Sequence, residues 1–261
     1  MFSIYHIVWI VICIVLIIAS IYIIHAKKPS YNDFFNWVCF FCILSEVVKV
    51  FSVIEVVPSA DGTAYYPYIE LQHLPLHLCS IMIIFIFIAR FSKANWVKDY
   101  LVPFMYPATL YGGILAIALP SIFGNSIEVT QAFTHPLAYQ YFLYHAMMIV
   151  TSYYIFKCDE IELKPKHYGS TLVIILGLGF LSLYMNSMFA EPVYENGVLV
   201  SVEYVTNFFF TYKTPIGIAL TETWQWYVYM AIITVLVFVL IAVAFIPVFR
   251  KAKKEKTKQI E

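Results

Sequence analysis

The chain has 261 residues, of which 62% are hydrophobic, 18% aromatic and 12% charged. Soluble domains are about half apolar and about a quarter charged, so this composition excludes a soluble enzyme, a disordered chain and a nucleic-acid binder. Sixteen basic and sixteen acidic residues cancel in number but not in position, and together these properties define a polytopic membrane protein.

Crossing the hydrocarbon takes about 20 mostly apolar residues, and a single segment can do so only as a helix. Seven stretches qualify: 4–25, 34–57, 71–91, 100–123, 136–157, 169–190 and 224–248. The expected fold is therefore all-α, a seven-helix transmembrane bundle occupying 1–250 as one domain, with a basic tail over 251–261. The first stretch has no basic n-region and no small-residue cleavage site, so it reads as a retained span and not as a signal peptide. The second carries Ser45, Glu46 and Lys49. Glu46 and Lys49 lie three apart, share a helical face and can pair. The pair is either self-neutralising and structural or it orients a catalytic group. Cys39 and Cys42 in the same stretch sit among apolar residues and read as packing. The five cysteines form no even disulfide framework.

The third stretch opens Glu70-Leu-Gln72-His73-Leu-Pro75-Leu-His77-Leu-Cys79-Ser80. His73 and His77, four apart, are expected to stack on one helix face, with Glu70 and Gln72 at its mouth and Cys79 deeper. Pro75 is compatible with a helix start. In the fourth stretch, Tyr111-Gly112-Gly113 lets a neighbouring helix approach closely. The fifth places His145 near its middle, with Tyr141 one turn earlier, while His135 at the rim reads as solvated. The sixth ends with Tyr184, Asn186 and Ser187. Residues 204–222, which include Asn207, are too apolar for a free loop and too broken for a span. They read as a re-entrant or interfacial segment. Trp224, Trp226, Tyr227 and Tyr229 then form an aromatic belt at the entry of the seventh stretch.

Fourteen of the sixteen lysines and arginines fall at the ends of, or after, the first, third, fifth and seventh stretches. The positive-inside rule then places the N-terminus outside and the C-terminus in the cytoplasm. The basic tail either fixes this topology alone or also meets anionic lipid headgroups. No repeat relates the two halves, which counts against an inverted-repeat transporter.

Ionisable groups inside spans are functional hypotheses by default. Two chemistries suit these. In one, Cys79 is a nucleophile and needs a histidine to take its proton. His145 on another helix is the preferred base, with His77 orienting a substrate or stabilising an oxyanion. Gln72, His73, Tyr141, Asn186 and Asn207 would support or bind substrate. In the other, His73 and His77 hold a metal with Glu70 or His145. The first is favoured, with no metal and no cofactor, because H-x-x-x-H alone is a weak signal.

The run Leu74-Pro-Leu-His-Leu-Cys79 resembles the YwaF / transmembrane-protein-164 family of integral membrane proteins. The resemblance extends to Ser45-Glu46, to Tyr111-Gly-Gly113 with Leu119-Pro120, and to His145. It also takes in Asn207-Phe-Phe-Phe-Thr-Tyr-Lys-Thr-Pro215 followed by Trp224-Gln-Trp-Tyr227. This chain departs from the pattern at Phe208 for Tyr, at the inserted Thr214 and at Gln225 for Pro. The resemblance implies an acyltransferase that remodels ether phospholipids through the motif's Cys. It also implies a distant similarity to androgen-induced hydrolases of fatty-acid esters, which use a Thr and a His within the membrane. Carried over, Cys79 is the acyl-accepting nucleophile and His145 its partner.

The expected function is intramembrane lipid acyl transfer or ester hydrolysis through a Cys–His pair and a thioester, with membrane lipids as partners. The alternative is a small-solute transporter or ligand-binding sensor using Glu46, Lys49, His77 and His145. A structural or chaperoning subunit is a third reading. The expected location is a cell (plasma) membrane, and the Ile-, Lys- and Phe-rich usage suggests a bacterium.

Overall fold

The computed structural model describes residues 3–123, 126–195 and 197–260, with side chains through Lys258. Among the described residues are seven α-helices and two two-stranded antiparallel hairpins. They form two compact units, one of residues 1–69 and 79–163, the other of 70–78 and 164–261.

The first unit begins with α1 (Ile4–Lys27), whose N-cap Ser3 accepts from the His6 amide. Lys28 ends it in the left-handed region at φ 44°. Pro29 follows and cannot continue the helix. Ser30 then caps α2 (Tyr31–Val53) by accepting from the Asp33 amide. α2 stops at Val53, before the expected 57, because Glu55–Pro58 (β1) pairs with Tyr65–Tyr68 (β2). The β-branched Val56 and Val57 and three tyrosines favour this hairpin, which an all-helical reading did not include.

The third helix departs furthest from expectation. α3 is Leu78–Phe91, 14 residues, and does not begin at 71. Residues Leu71–His73 form an isolated 3-10 turn. Pro75 is the cause. A residue before proline is driven out of the helical region, and Leu74 stands at φ −58°, ψ 146°. α4 is Val102–Ala118, preceded by a π turn at Val97–Leu101. It ends before 123 for the same reason, with Leu119 out of the helical region at φ −127°, ψ 67° ahead of Pro120. α5, Pro136–Lys157, matches its expected bounds. His135 is its N-cap, with Nδ1 accepting from the Leu137 amide at 3.2 Å.

Length and composition qualify α1, α2, α4 with its π turn, α6 (Lys166–Met188) and α7 (Thr223–Ile260) to cross a membrane. α3 is apolar, but at about 1.5 Å per residue it reaches only about 21 Å. α5 is long enough, but its tyrosines, Gln140 and His145 dilute its hydropathy.

α1 is mostly exposed, yet three inward side chains fasten it. His6 Nε2 donates to the Ile117 carbonyl at 2.8 Å, Trp9 Nε1 to Ala132 at 2.8 Å, and Cys13 Sγ to Phe142 at 3.6 Å. Trp9 stacks on Phe142 and Phe133 at 4.9 and 5.5 Å between centroids. With Ile117, Ile122, Leu137, Ala138 and Ala146 these residues form the core at that end of the unit.

In the second unit, α6 (Lys166–Met188) leads into a hairpin of β3 (Ala190–Glu195) and β4 (Val198–Tyr204). The 204–222 segment is not a span: beyond the end of β4 its one regular piece is the 3-10 turn Phe208–Phe210. Buried Asn186 organises its start: Nδ2 donates to the Phe208 carbonyl and Thr211 Oγ1, and Oδ1 accepts from the Thr206 hydroxyl and the Phe208 amide. Phe209 and Phe210 adopt φ 56° and 55°, a region L-residues seldom occupy. α7 runs from Thr223 to Ile260 without a break at 248. The basic tail is thus a helical continuation and not a separate segment.

Candidate functional site

The glycine pair in α4 is where the first unit gathers its chemistry. α4 and α5 make the most extensive helix–helix contact in the unit, and Gly112 and Gly113 permit it. A Cβ on Gly113 would stand 2.7 Å from the His145 carbonyl oxygen and 2.6 Å from Ile149 Cγ1. A Cβ on Gly112 would stand 3.5 Å from Cys79 Sγ and 3.1 Å from Met148 Cε. Cys79 and His145 therefore both border this pair.

Cys79 is the second residue of α3. Its thiol lies 4.0 Å from the Gly112 carbonyl oxygen, and its own carbonyl accepts from the Tyr144 hydroxyl at 2.6 Å. The first four amides of a helix have no partner within it. Their aligned dipoles leave partial positive charge near the thiol. A helix starting at 71, as the hydropathy suggests, would put Cys79 in its outer third; the start at Leu78 puts it in the first turn.

His145 is buried, and its Nδ1 lies 2.6 Å from the Tyr141 carbonyl oxygen one turn earlier. A carbonyl can only accept, so Nδ1 carries the proton and Nε2 presents a lone pair. The Tyr141 ring packs on the imidazole at 4.3 Å, and Tyr144 meets it edge-on at 5.4 Å. The Tyr141 hydroxyl donates to the Ala116 carbonyl at 3.1 Å, close to the end of α4. Tyr144 and Gln140 were not singled out from the sequence. Tyr144 has a signal in hindsight, since a buried phenol needs a partner.

In α2, Lys49 Nζ sits 2.7 and 2.9 Å from the two Glu46 carboxylate oxygens. Ser45 Oγ accepts from Gln140 Nε2 at 2.7 Å, which joins α2 to α5.

The remaining expected residues lie in the second unit. His73 and His77 do not stack on a helix face. His73 is in the 3-10 turn, with Nε2 3.9 Å from the Glu70 carboxylate, and Gln72 donates to the same carboxylate. His77 precedes α3 and meets the Phe208 ring edge-on at 5.0 Å. The helical i, i+4 pair required by the metal alternative is thus not formed. Among the described residues no three His, Cys, Asp or Glu side chains converge as a metal site would need. Asn186 is the buried anchor described above. Asn207 Oδ1 accepts from the Tyr212 and Lys213 amides at 3.0 and 3.1 Å, and Nδ2 donates to the Lys213 carbonyl at 2.9 Å. Both asparagines serve the backbone of the segment that follows α6.

Long apolar helices and polar side chains turned inward define a multi-helix membrane protein. A model described as the TMEM164 family matches residues 1–246, and the chain belongs to that family. Neither a curated protein nor a solved structure matches it.

Proposed function

We propose that this protein transfers or hydrolyses an acyl ester of a membrane lipid through Cys79. The observation that carries the reading is the glycine pair of α4, with the Cys79 thiol at a helix start beside Gly112 and the backbone of His145, whose Nδ1 is engaged by the Tyr141 carbonyl, against Gly113. Cys79 Sγ attacks the ester carbonyl carbon while its proton passes to His145 Nε2. The tetrahedral oxyanion faces the unpaired amides of the first turn of α3. Collapse breaks the ester C–O bond, and the imidazolium gives its proton to the departing alkoxide. A lysolipid hydroxyl or water then attacks the thioester with His145 as base, and the thiol is restored.

The reading extends to place. The distribution of basic residues supports an outward N-terminus and a cytoplasmic C-terminus. Composition supports a bacterial cell membrane. Seven crossings remain part of the proposal, with α3 and α5 as the two that length or polarity would not select alone.

A second reading, transport or ligand sensing, is favoured by the Glu46–Lys49 pair inside α2. The deciding experiment reconstitutes wild type, Cys79→Ala and His145→Ala into liposomes holding isotope-labelled phospholipid and a lysolipid. Mass spectrometry follows label transfer, free fatty acid and an acyl mass on Cys79. Turnover by wild type alone, with the adduct, is the expected result. Wild-type turnover by Cys79→Ala would overturn the mechanism. Proton-coupled uptake that needs Glu46 and not Cys79 would establish the second reading.

A further inference from the structure

α7 carries two lines of residues with different partners. Ile241, Ala244, Phe245 and Val248 are buried, and Phe245 and Phe249 pack against Tyr168 of α6. On the opposite side Ile232, Leu236, Val239 and Val243 are each half exposed or more. These four follow one another at intervals of three and four, so they form one stripe along the helix. The interval continues unbroken through Pro247, Arg250, Lys254 and Lys258. Because the helix does not stop at 248, the apolar stripe runs directly into a cationic one on the same face. Lys251 lies beside it, and Pro247, Arg250, Lys251, Lys254, Glu255 and Lys258 line a shallow groove.

We propose that this face of α7 binds an anionic phospholipid, with its acyl chain along Ile232–Val243 and its headgroup phosphate between Arg250, Lys251 and Lys254. The spacing fits. Trp224 to Pro247 spans about 35 Å at 1.5 Å per residue, which covers a hydrocarbon core of about 30 Å and leaves Pro247 at its edge. Arg250 and Lys254 then stand about 5 and 10 Å beyond, and their long stems reach back to the phosphate plane. The occupant is a net-negative lipid of that leaflet. A zwitterionic headgroup brings its own cation, which the three basic side chains repel.

Lys253 and Lys256 lie off this face, and they separate the proposal from a charge that only sets topology. Full-length wild type, R250Q/K254Q and K253Q/K256Q each purify in neutral detergent, and the two variants lose the same charge. Native mass spectrometry then titrates phosphatidylglycerol and phosphatidylcholine of identical chains. Wild type is expected to hold phosphatidylglycerol at least about tenfold more tightly than phosphatidylcholine. R250Q/K254Q should lose about tenfold or more of that affinity and K253Q/K256Q less than about twofold. R250K/K254R should retain binding, which excludes a misfolded helix as the cause. Equal losses in the two charge-matched variants, equal binding of the two lipids, or full displacement by millimolar inorganic phosphate would each overturn the proposal.

Discussion

The two glycines of α4 offer the sharpest test of the site, because the same substitution should have opposite effects one residue apart. Alanine in place of glycine favours a helix interior by about 1 kcal/mol. At Gly112 the new methyl meets the end of Met148, a flexible thioether, at 3.1 Å and Cys79 Sγ at an ordinary 3.5 Å. Met148 can yield, so Gly112→Ala should be neutral or slightly stabilising. At Gly113 the methyl meets the His145 backbone oxygen at 2.7 Å, and α5 must move away for it to fit. Overpacking of this kind costs about 1–3 kcal/mol. Gly113→Ala should therefore be less stable than Gly112→Ala by about 2 kcal/mol and should also displace His145. Equilibrium unfolding in mixed micelles measures the difference. Two alanine variants within about 0.5 kcal/mol of each other would show that α4 and α5 do not meet through this pair.

Trp9→Ala removes two ring stacks and a hydrogen bond to Ala132 and should cost about 3 kcal/mol, read by the same unfolding assay; a loss below about 1 kcal/mol would mean α1 is only loosely attached. Asn186→Ala strands partners at Thr206, Phe208 and Thr211, should cost about 2–4 kcal/mol, and should open 205–222 to limited proteolysis; unchanged cleavage there would refute its anchoring role. Asp61 accepts from the Ser59 and Thr63 hydroxyls and the Thr63 amide, which hold its carboxyl down from the ordinary 3.8 to about 2. A depressed carboxylate favours the folded turn above its unfolded value, and that contribution is lost as pH falls through about 2. Carbon NMR of labelled aspartate should give that midpoint, and one near 4 would remove the hydrogen bonds from the account.

Apolar stretches and tyrosine or tryptophan positions located most helices well, because a span must satisfy its own backbone and the sequence needs only length and hydropathy to say so. The apolar stretch over about 136–157 coincides with α5, whose first residue is Pro136, a residue suited to a helix start. The hairpins were not legible. β1 and β2 are four residues each, too short for alternation to stand out beside a long apolar run. Of the site, Glu46–Lys49, Cys79, Gly112 and His145 could be read from the cost of polar or small residues in a span. His73 with His77 could not, because helical spacing was assumed through a proline. Asn186 stands out in the sequence as a polar group that binds substrate or supports the site, and its polar atoms hold the start of the segment that follows α6.

That proline also decides what Cys79 can do. Had α3 begun at 71, the Cys79 amide would be tied to the Pro75 carbonyl four residues back, and the amides of Leu78 and Ser80 would be similarly engaged. No donor in that turn could then meet an oxyanion, and the thiol would lie in the middle of a dipole, not at its positive end. Leu74, held extended by Pro75, keeps the helix from reaching back to 71, and α3 begins at Leu78. Pro75→Ala removes the constraint while leaving Cys79, Gly112 and His145 in place. The expected outcome is slower hydrogen exchange at the amides of Leu78, Cys79 and Ser80, as the helix gains a turn, together with loss of acyl transfer in the liposome assay. Losing one donor of this kind costs about a hundredfold or more in rate. Slowed exchange with wild-type turnover would separate the helix start from the chemistry. Unchanged exchange would show that His77 and its neighbours, and not Pro75, set where α3 begins.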